Sequence, residues 1–157
     1  MSSPIEIDHI NIVVKDIDAM TAFYRDVLGM TVTKQVTISG DWIEQVVGLK
    51  NVEADVVYLE FPNGPRLELI EYLSPDGGRP DGMGLPNTHG FRHMAFRVKD
   101  LYELTKKLEH AGVMCVGEVQ QVPDAQVTYE GGVRKHLVYF HDPEGNLLEL
   151  CSYRKPD

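Results

Sequence analysis

Cysteine is scarce in this chain: Cys115 and Cys151 are the two among 157 residues. They form no Cys-x-x-Cys unit and fall in stretches that read as strands, which argues against a disulfide framework or a thiolate metal site. The cytoplasm is the expected location. Positive charge is also short, with 15 Lys and Arg against 24 Asp and Glu and a formal net charge of −9. Such a chain repels a phosphate backbone, and no Lys/Arg run offsets this locally, so nucleic acid is not an expected partner. No apolar run approaches the ~18 residues of a membrane span. The opening Met1-Ser2-Ser3-Pro4 has no basic region followed by an apolar stretch, so the chain reads as soluble and untargeted, without a membrane partner.

What the chain does have is an ordinary globular composition, 43% hydrophobic and 25% charged, and an internal echo. Asp8-His9-Ile10-Asn11-Ile12-Val13-Val14-Lys15-Asp16-Ile17 returns as Arg92-His93-Met94-Ala95-Phe96-Arg97-Val98-Lys99-Asp100-Leu101. The shift is 84 at the histidine (93 − 9), and Val-Lys-Asp keeps it. Later, Leu67-Glu68-Leu69 with Tyr72 returns as Leu148-Glu149-Leu150 with Tyr153 at a shift of 81 (149 − 68). Each half therefore carries one histidine early and one glutamate late. The length suits one domain, 1–157, built from two halves of about 75 residues.

Each half reads as βαβββ. In the first module, about 5–72, a strand over 5–14 leads to a helix that starts at Asp16, carries Ile17, Met20, Phe23, Tyr24, Val27 and Leu28 at helical spacing, and stops at Gly29. Strands follow at 30–38, 54–61 and 66–72, while 39–52, with Trp42, fits a loop or a short helix. Residues 73–90 are rich in Pro and Gly and read as a linker. The second module, about 91–153, repeats the order with a strand at 91–99, a helix from Asp100 to Gly112, and strands at 113–120, 133–140 and 146–153.

Alternation splits each strand into two rows. One row is apolar: Ile10, Ile12 and Val14; Val57, Leu59 and Phe61; Leu67 and Leu69; Met94, Phe96 and Val98; Leu148 and Leu150. That row is expected to pack on the helices. The other carries His9, Asn11 and Val13; Val56, Tyr58 and Glu60; Arg66, Glu68, Ile70 and Tyr72; His93, Ala95 and Arg97; and Leu147, Glu149, Cys151 and Tyr153, polar groups mixed with aromatics in a way that suits a pocket. A single strand histidine or glutamate ordinarily just faces water. Two of each at duplicated positions on one face are harder to obtain from solubility alone.

His9, Glu68, His93 and Glu149 make an N₂O₂ set for one divalent ion such as Zn, Ni, Co, Mn or Fe, with positions left for water or substrate. A substrate with two adjacent oxygens could chelate there while a proton leaves the neighbouring carbon. A carboxylate is the natural base once substrate displaces it from the ion, which makes Glu68 and Glu149 the catalytic candidates. Asn11, Tyr58 and Arg97 are candidate substrate contacts. His141, beside the Asp142-Pro143 turn, is either an acid standing behind the donor set or a loop residue, and the facing of His136 is open. Arg66, Arg79, Arg97, Arg134 and Lys135 could meet an anionic substrate tail, although scattered cations such as these ordinarily read as surface charge.

With these residues in view, the chain resembles the vicinal oxygen chelate superfamily, which includes glyoxalase I, methylmalonyl-CoA epimerase, extradiol dioxygenases and fosfomycin-resistance transferases. The resemblance spans nearly the whole length. It rests on Asp8-His9 through Phe23-Tyr24-Arg25-Asp26-Val27-Leu28-Gly29-Met30, on Leu67-Glu68-Leu69, on His93 through Asp100, and on Asp142-Pro143-Glu144-Gly145-Asn146-Leu147-Leu148-Glu149-Leu150. It implies an α+β fold in which two tandem βαβββ modules form a curved eight-stranded sheet with helices outside, around a metal held by His9, Glu68, His93 and Glu149. It also implies a metal-dependent lyase or isomerase that moves a proton alpha to a carbonyl through an enediolate or enolate, on a small carbonyl or thioester substrate, in a homodimer.

Glyoxalase I enzymes generally carry an arginine four residues after the first histidine, where this chain has Val13. The epimerases place a glutamate on the third strand of the first module, where Tyr58 aligns. A ring-cleaving extradiol dioxygenase is the alternative in which Glu68 is not a ligand. A non-catalytic small-molecule binding or resistance protein is the alternative without a metal.

Overall fold

The computed structural model describes residues 5–156. The chain divides into two compact units, one ending at Arg79 and one beginning at Pro80, within the segment read as a linker. In the first unit, β1 (His9–Val13), α1 (Ile17–Ala22), β2 (Thr31–Ser39), α2 (Asp41–Val47), β3 (Glu53–Glu60) and β4 (Arg66–Ser74) follow in order. The sheet runs β1-β4-β3-β2, with β1 and β4 parallel and the other neighbours antiparallel.

Regular pairing begins at His9, later than the expected residue 5, because His9 faces Arg66 and the residue before Arg66 is Pro65, which has no N–H to continue the ladder. Ile5 and Ile7 are accordingly exposed. On the other edge of the sheet, β2 carries a bulge: Val32 faces Leu59 and Lys34 faces Tyr58, leaving Thr33 as the extra residue.

Helix α1 starts where two carboxylates meet its free N–H groups. Asp16 accepts from Ala19 N–H at 2.9 Å and Glu71 from Ile17 N–H at 2.9 Å, which also suits the positive end of the helix dipole. The helix does not stay regular to Gly29 as expected. A wider turn covers Phe23–Val27 and ends at Gly29 with φ +78°, and Phe23 and Tyr24 are both buried, their rings edge to face at 5.2 Å. The ambiguous stretch 39–52 contains α2, closed by Gly48 at φ +72°.

The second unit repeats the plan: β5 (His93–Arg97), α3 (Leu101–His110), β6 (Gln120–Gln121), β7 (Arg134–His141) and β8 (Leu147–Arg154), in the order β5-β8-β7-β6. Asp100 caps α3 as Asp16 caps α1, accepting from Glu103 N–H at 3.0 Å. Leu101 and Leu108 bury the inner face of α3, while Phe140, Leu148 and Leu150 are buried on the sheet.

One expected strand largely fails. Of 113–120, only Gln120 continues into a strand, and Cys115 makes a lone bridge to Phe140. Met114 and Val116 are exposed, so no buried row forms there to hold a strand. The apolar row otherwise behaves as read. Val14, Val57, Leu59, Leu67, Leu69, Leu148 and Leu150 are buried, and Ile10, Ile12, Phe61, Met94, Phe96 and Val98 are half-buried. The fold is α+β, two four-stranded mixed sheets each carrying a βαβββ module.

Candidate metal centre

In the first unit the register brings the candidates together. Asn11 on β1 faces Glu68 on β4, and Tyr58 on β3 faces the same glutamate from the other side. Glu68 is buried, 8% exposed, and two side chains donate to its carboxylate. Asn11 Nδ2 donates to Oε1 at 3.1 Å, and the Tyr58 hydroxyl donates to Oε2 in a very short hydrogen bond. This bond pushes the Tyr58 phenol up to about 12, with burial adding to it. His9 Nε2 lies 3.4 Å from Oε2.

Behind His9, Asp8 Oδ2 lies 2.7 Å from Nδ1, which fixes Nδ1 as the protonated nitrogen and leaves the Nε2 lone pair facing Glu68. The bond to His9, joined by Arg66 at 2.6 Å, holds the Asp8 carboxyl below its ordinary range. Arg66 also lies over the Tyr58 ring at 4.9 Å. Asn11 and Tyr58, expected as substrate contacts, thus hold the glutamate.

The second unit builds the matching pair differently. His93 Nε2 lies 3.1 Å from Glu149 Oε2, and Glu149 is 3% exposed. No asparagine serves it, since the position matching Asn11 is Ala95. Instead Lys135 on β7 reaches across and sets Nζ 2.8 Å from Oε1. Burial pulls the Lys135 ammonium down, but the hydrogen bond and charge of Glu149 outweigh it and leave its pKa raised.

Tyr139 faces Glu149 as Tyr58 faces Glu68, and its ring lies 5.0 Å from that of His93. Arg97 stacks over Tyr153 at 4.7 Å, and Tyr129 meets Tyr153 edge-on at 5.4 Å. His136 faces Ser152, on the row of Val138 and Phe140 and away from Glu149. His141 Nε2 is taken by Gly84 O at 2.9 Å. Gly84 makes room for this contact, because a Cβ there would stand 3.2 Å from Nε2.

Two features of the site escaped the sequence reading. Lys135 reads as surface charge from sequence and instead neutralises a buried carboxylate. Tyr139 has no role until the shift of 81 is applied to Tyr58 (58 + 81), which lands on it.

The donor set fits a divalent ion. Bonds of about 2.1 Å at right angles place neighbouring ligands roughly 3 Å apart, and each imidazole–carboxylate pair is close to that. Within either unit, among the described residues, no three His, Cys, Asp or Glu converge as a metal cluster. Each unit thus offers one nitrogen and one oxygen.

Comparison with known proteins places this geometry in a family. The protein-family profile described as Glyoxalase/Bleomycin resistance protein/Dioxygenase superfamily matches residues 6–150. The chain is 27% identical over 148 residues to the uncharacterized protein YaeR of Escherichia coli, covering 92% of this chain and 94% of that protein. It is 22% identical to Glyoxylase I 4 of Arabidopsis thaliana, covering 93% and 70%. Among solved structures, a glyoxalase family protein from Bacillus cereus superposes with a TM-score of 0.82 at 26% identity, covering 98% and 97%. Leishmania major glyoxalase I, at 22% identity and a TM-score of 0.64 with 95% and 87% covered, shares the fold. From its duplicated modules and the match over nearly its full length, the chain belongs to the glyoxalase/bleomycin resistance protein/dioxygenase superfamily.

Proposed function

We propose that the protein is a divalent-metal-dependent lyase or isomerase that moves a proton alpha to a carbonyl, with His9, Glu68, His93 and Glu149 as metal donors. One observation carries the reading: both units turn a buried glutamate oxygen and a histidine Nε2 toward each other at 3.4 and 3.1 Å. When bound, Zn, Ni, Co, Mn or Fe supplies a Lewis acid for substrate oxygen.

The chain's own residues do the rest. Asp8 orients His9, Asn11 and Tyr58 hold Glu68 in one rotamer, and Lys135 does so for Glu149. Glu68 and Glu149 are the groups that accept and return the proton. Asn11, Tyr58 and Arg97 line the rows that substrate meets, Arg97 facing an anionic group. The substrate is a small carbonyl or thioester compound, and the working form is a cytoplasmic homodimer.

The test is exchange of the alpha proton with heavy water, using 2-oxoaldehyde hemithioacetals and 2-methyl acyl-CoA esters with metal-loaded protein. Metal-dependent exchange that falls on the order of 10²-fold or more in Glu68→Gln or Glu149→Gln is expected. No exchange from any substrate of either class with metal bound would overturn the reading, and iron-dependent oxygen uptake with a catechol would replace it by ring cleavage.

A further inference from the structure

Because the two units are copies, matched positions can be compared directly, and their charges have diverged. Asp8, which holds His9, is matched by Arg92, which instead donates from Nη1 to Met83 O at 3.1 Å. Val13 is matched by Arg97, and Ala54, which faces Tyr72 across β3 and β4, is matched by Lys135, which faces Tyr153 across β7 and β8. At all three places the second unit is the more positive.

The task of turning each glutamate has also changed hands. In both units a nitrogen group meets Oε1 while the histidine faces Oε2, which in the first unit also accepts from Tyr58. The first unit uses Asn11 and has Ala54 at the lysine position. The second uses Lys135 and has Ala95 at the asparagine position.

We propose that the His9–Glu68 pair holds a divalent ion more tightly than the His93–Glu149 pair does, because Lys135 is a resident counter-ion on Glu149 that lowers the affinity of the second pair for a cation. This rests on the metal-dependent reading above and adds an inequality between the units that the reading does not contain. Asn11 and Tyr58 orient Glu68 through neutral donors, so the full carboxylate charge stays available to an incoming cation. Lys135 orients Glu149 with a full positive charge, which repels one. All three are positioning residues for their carboxylates.

The experiment is calorimetric titration of Zn²⁺ into metal-free wild type and into Lys135→Gln, Lys135→Arg, His9→Ala and His93→Ala, with circular dichroism to confirm folding. Lys135→Gln keeps a hydrogen bond to Glu149 and removes the charge, so it is expected to bind Zn²⁺ at least about tenfold more tightly. A unit charge removed from beside the same carboxylate is large enough for that even when well screened. Lys135→Arg keeps the charge and is expected to match wild type. His9→Ala is expected to lose at least about tenfold more affinity than His93→Ala, a comparison that does not depend on the lysine variants folding.

Equal or weaker binding in folded Lys135→Gln overturns the proposal, as does a loss in His93→Ala equal to or larger than that in His9→Ala. Should neither wild type nor Lys135→Gln bind Zn²⁺, this proposal and the metal-dependent function fall together. Should wild type bind and Lys135→Gln merely equal it, the function stands and the counter-ion does not.

Discussion

Tyr58 donates a hydrogen bond from its phenol to Glu68, and the consequence is measurable. Its pKa is raised from the ordinary 10.0 to about 12, so this bond supports the fold fully below pH 10 and is lost as pH rises through about 12. An alkaline titration of metal-free protein at the phenolate absorbance band should therefore show a late phase that disappears in Tyr58→Phe. A late phase unchanged in that variant would mean that the phenol does not donate to Glu68. At this scale the two histidine–glutamate pairs were legible, because duplication and a shared strand face mark His9 with Glu68 and His93 with Glu149. Lys135 was not. Its strand opens Arg134-Lys135-His136, three polar residues in succession, and alternation cannot assign a facing where both rows are polar. Only pairing with β8 shows that Lys135 lies on the Glu149 side and His136 on the other.

Both helices that cover the sheets depend on an aspartate that the sequence marks clearly, a Val-Lys-Asp followed by an apolar residue. Asp100 accepts from Glu103 N–H at 3.0 Å, and replacing it by alanine leaves that donor without its cap. Asp100→Ala should lower stability by about 1 kcal/mol in urea unfolding with an unchanged slope, and Asp100→Asn should recover most of the loss. A loss in Asp100→Asn equal to that in Asp100→Ala would assign the effect to charge, since Arg154 Nη2 also stands 3.7 Å from this carboxylate. Element boundaries were less legible than element types. The start of β1 is set by Pro65, which precedes its partner strand in space though it lies far along the chain. The near absence of a strand over 113–120 has a related cause. Cys115 and Val113 are β-compatible residues, but a strand needs a neighbour in register, and only the bridge to Phe140 and the short pairing of Gln120 and Gln121 with β7 supply one.

For the molecule as a whole, the proposed metal would be linked to folding, because an ion bound by the native chain and not by the unfolded one adds to stability. With free metal near 100 times Kd the gain is about 2.7 kcal/mol, which for a chain of this size raises Tm by roughly 5–10 °C. Thermal unfolding with and without Zn²⁺ checks this, and a chelator should reverse the shift; an unchanged Tm at saturating metal would show that the ion meets no organised native site. The bulge at Thr33 matters at the same scale. A nine-residue border strand, β2, would otherwise present a flat row of free amide and carbonyl groups on which a second chain could polymerise. The extra residue kinks that border beside Lys34, opposite Tyr58 and Leu59, so the irregularity beside the tyrosine that holds Glu68 also guards the protein against fibril growth.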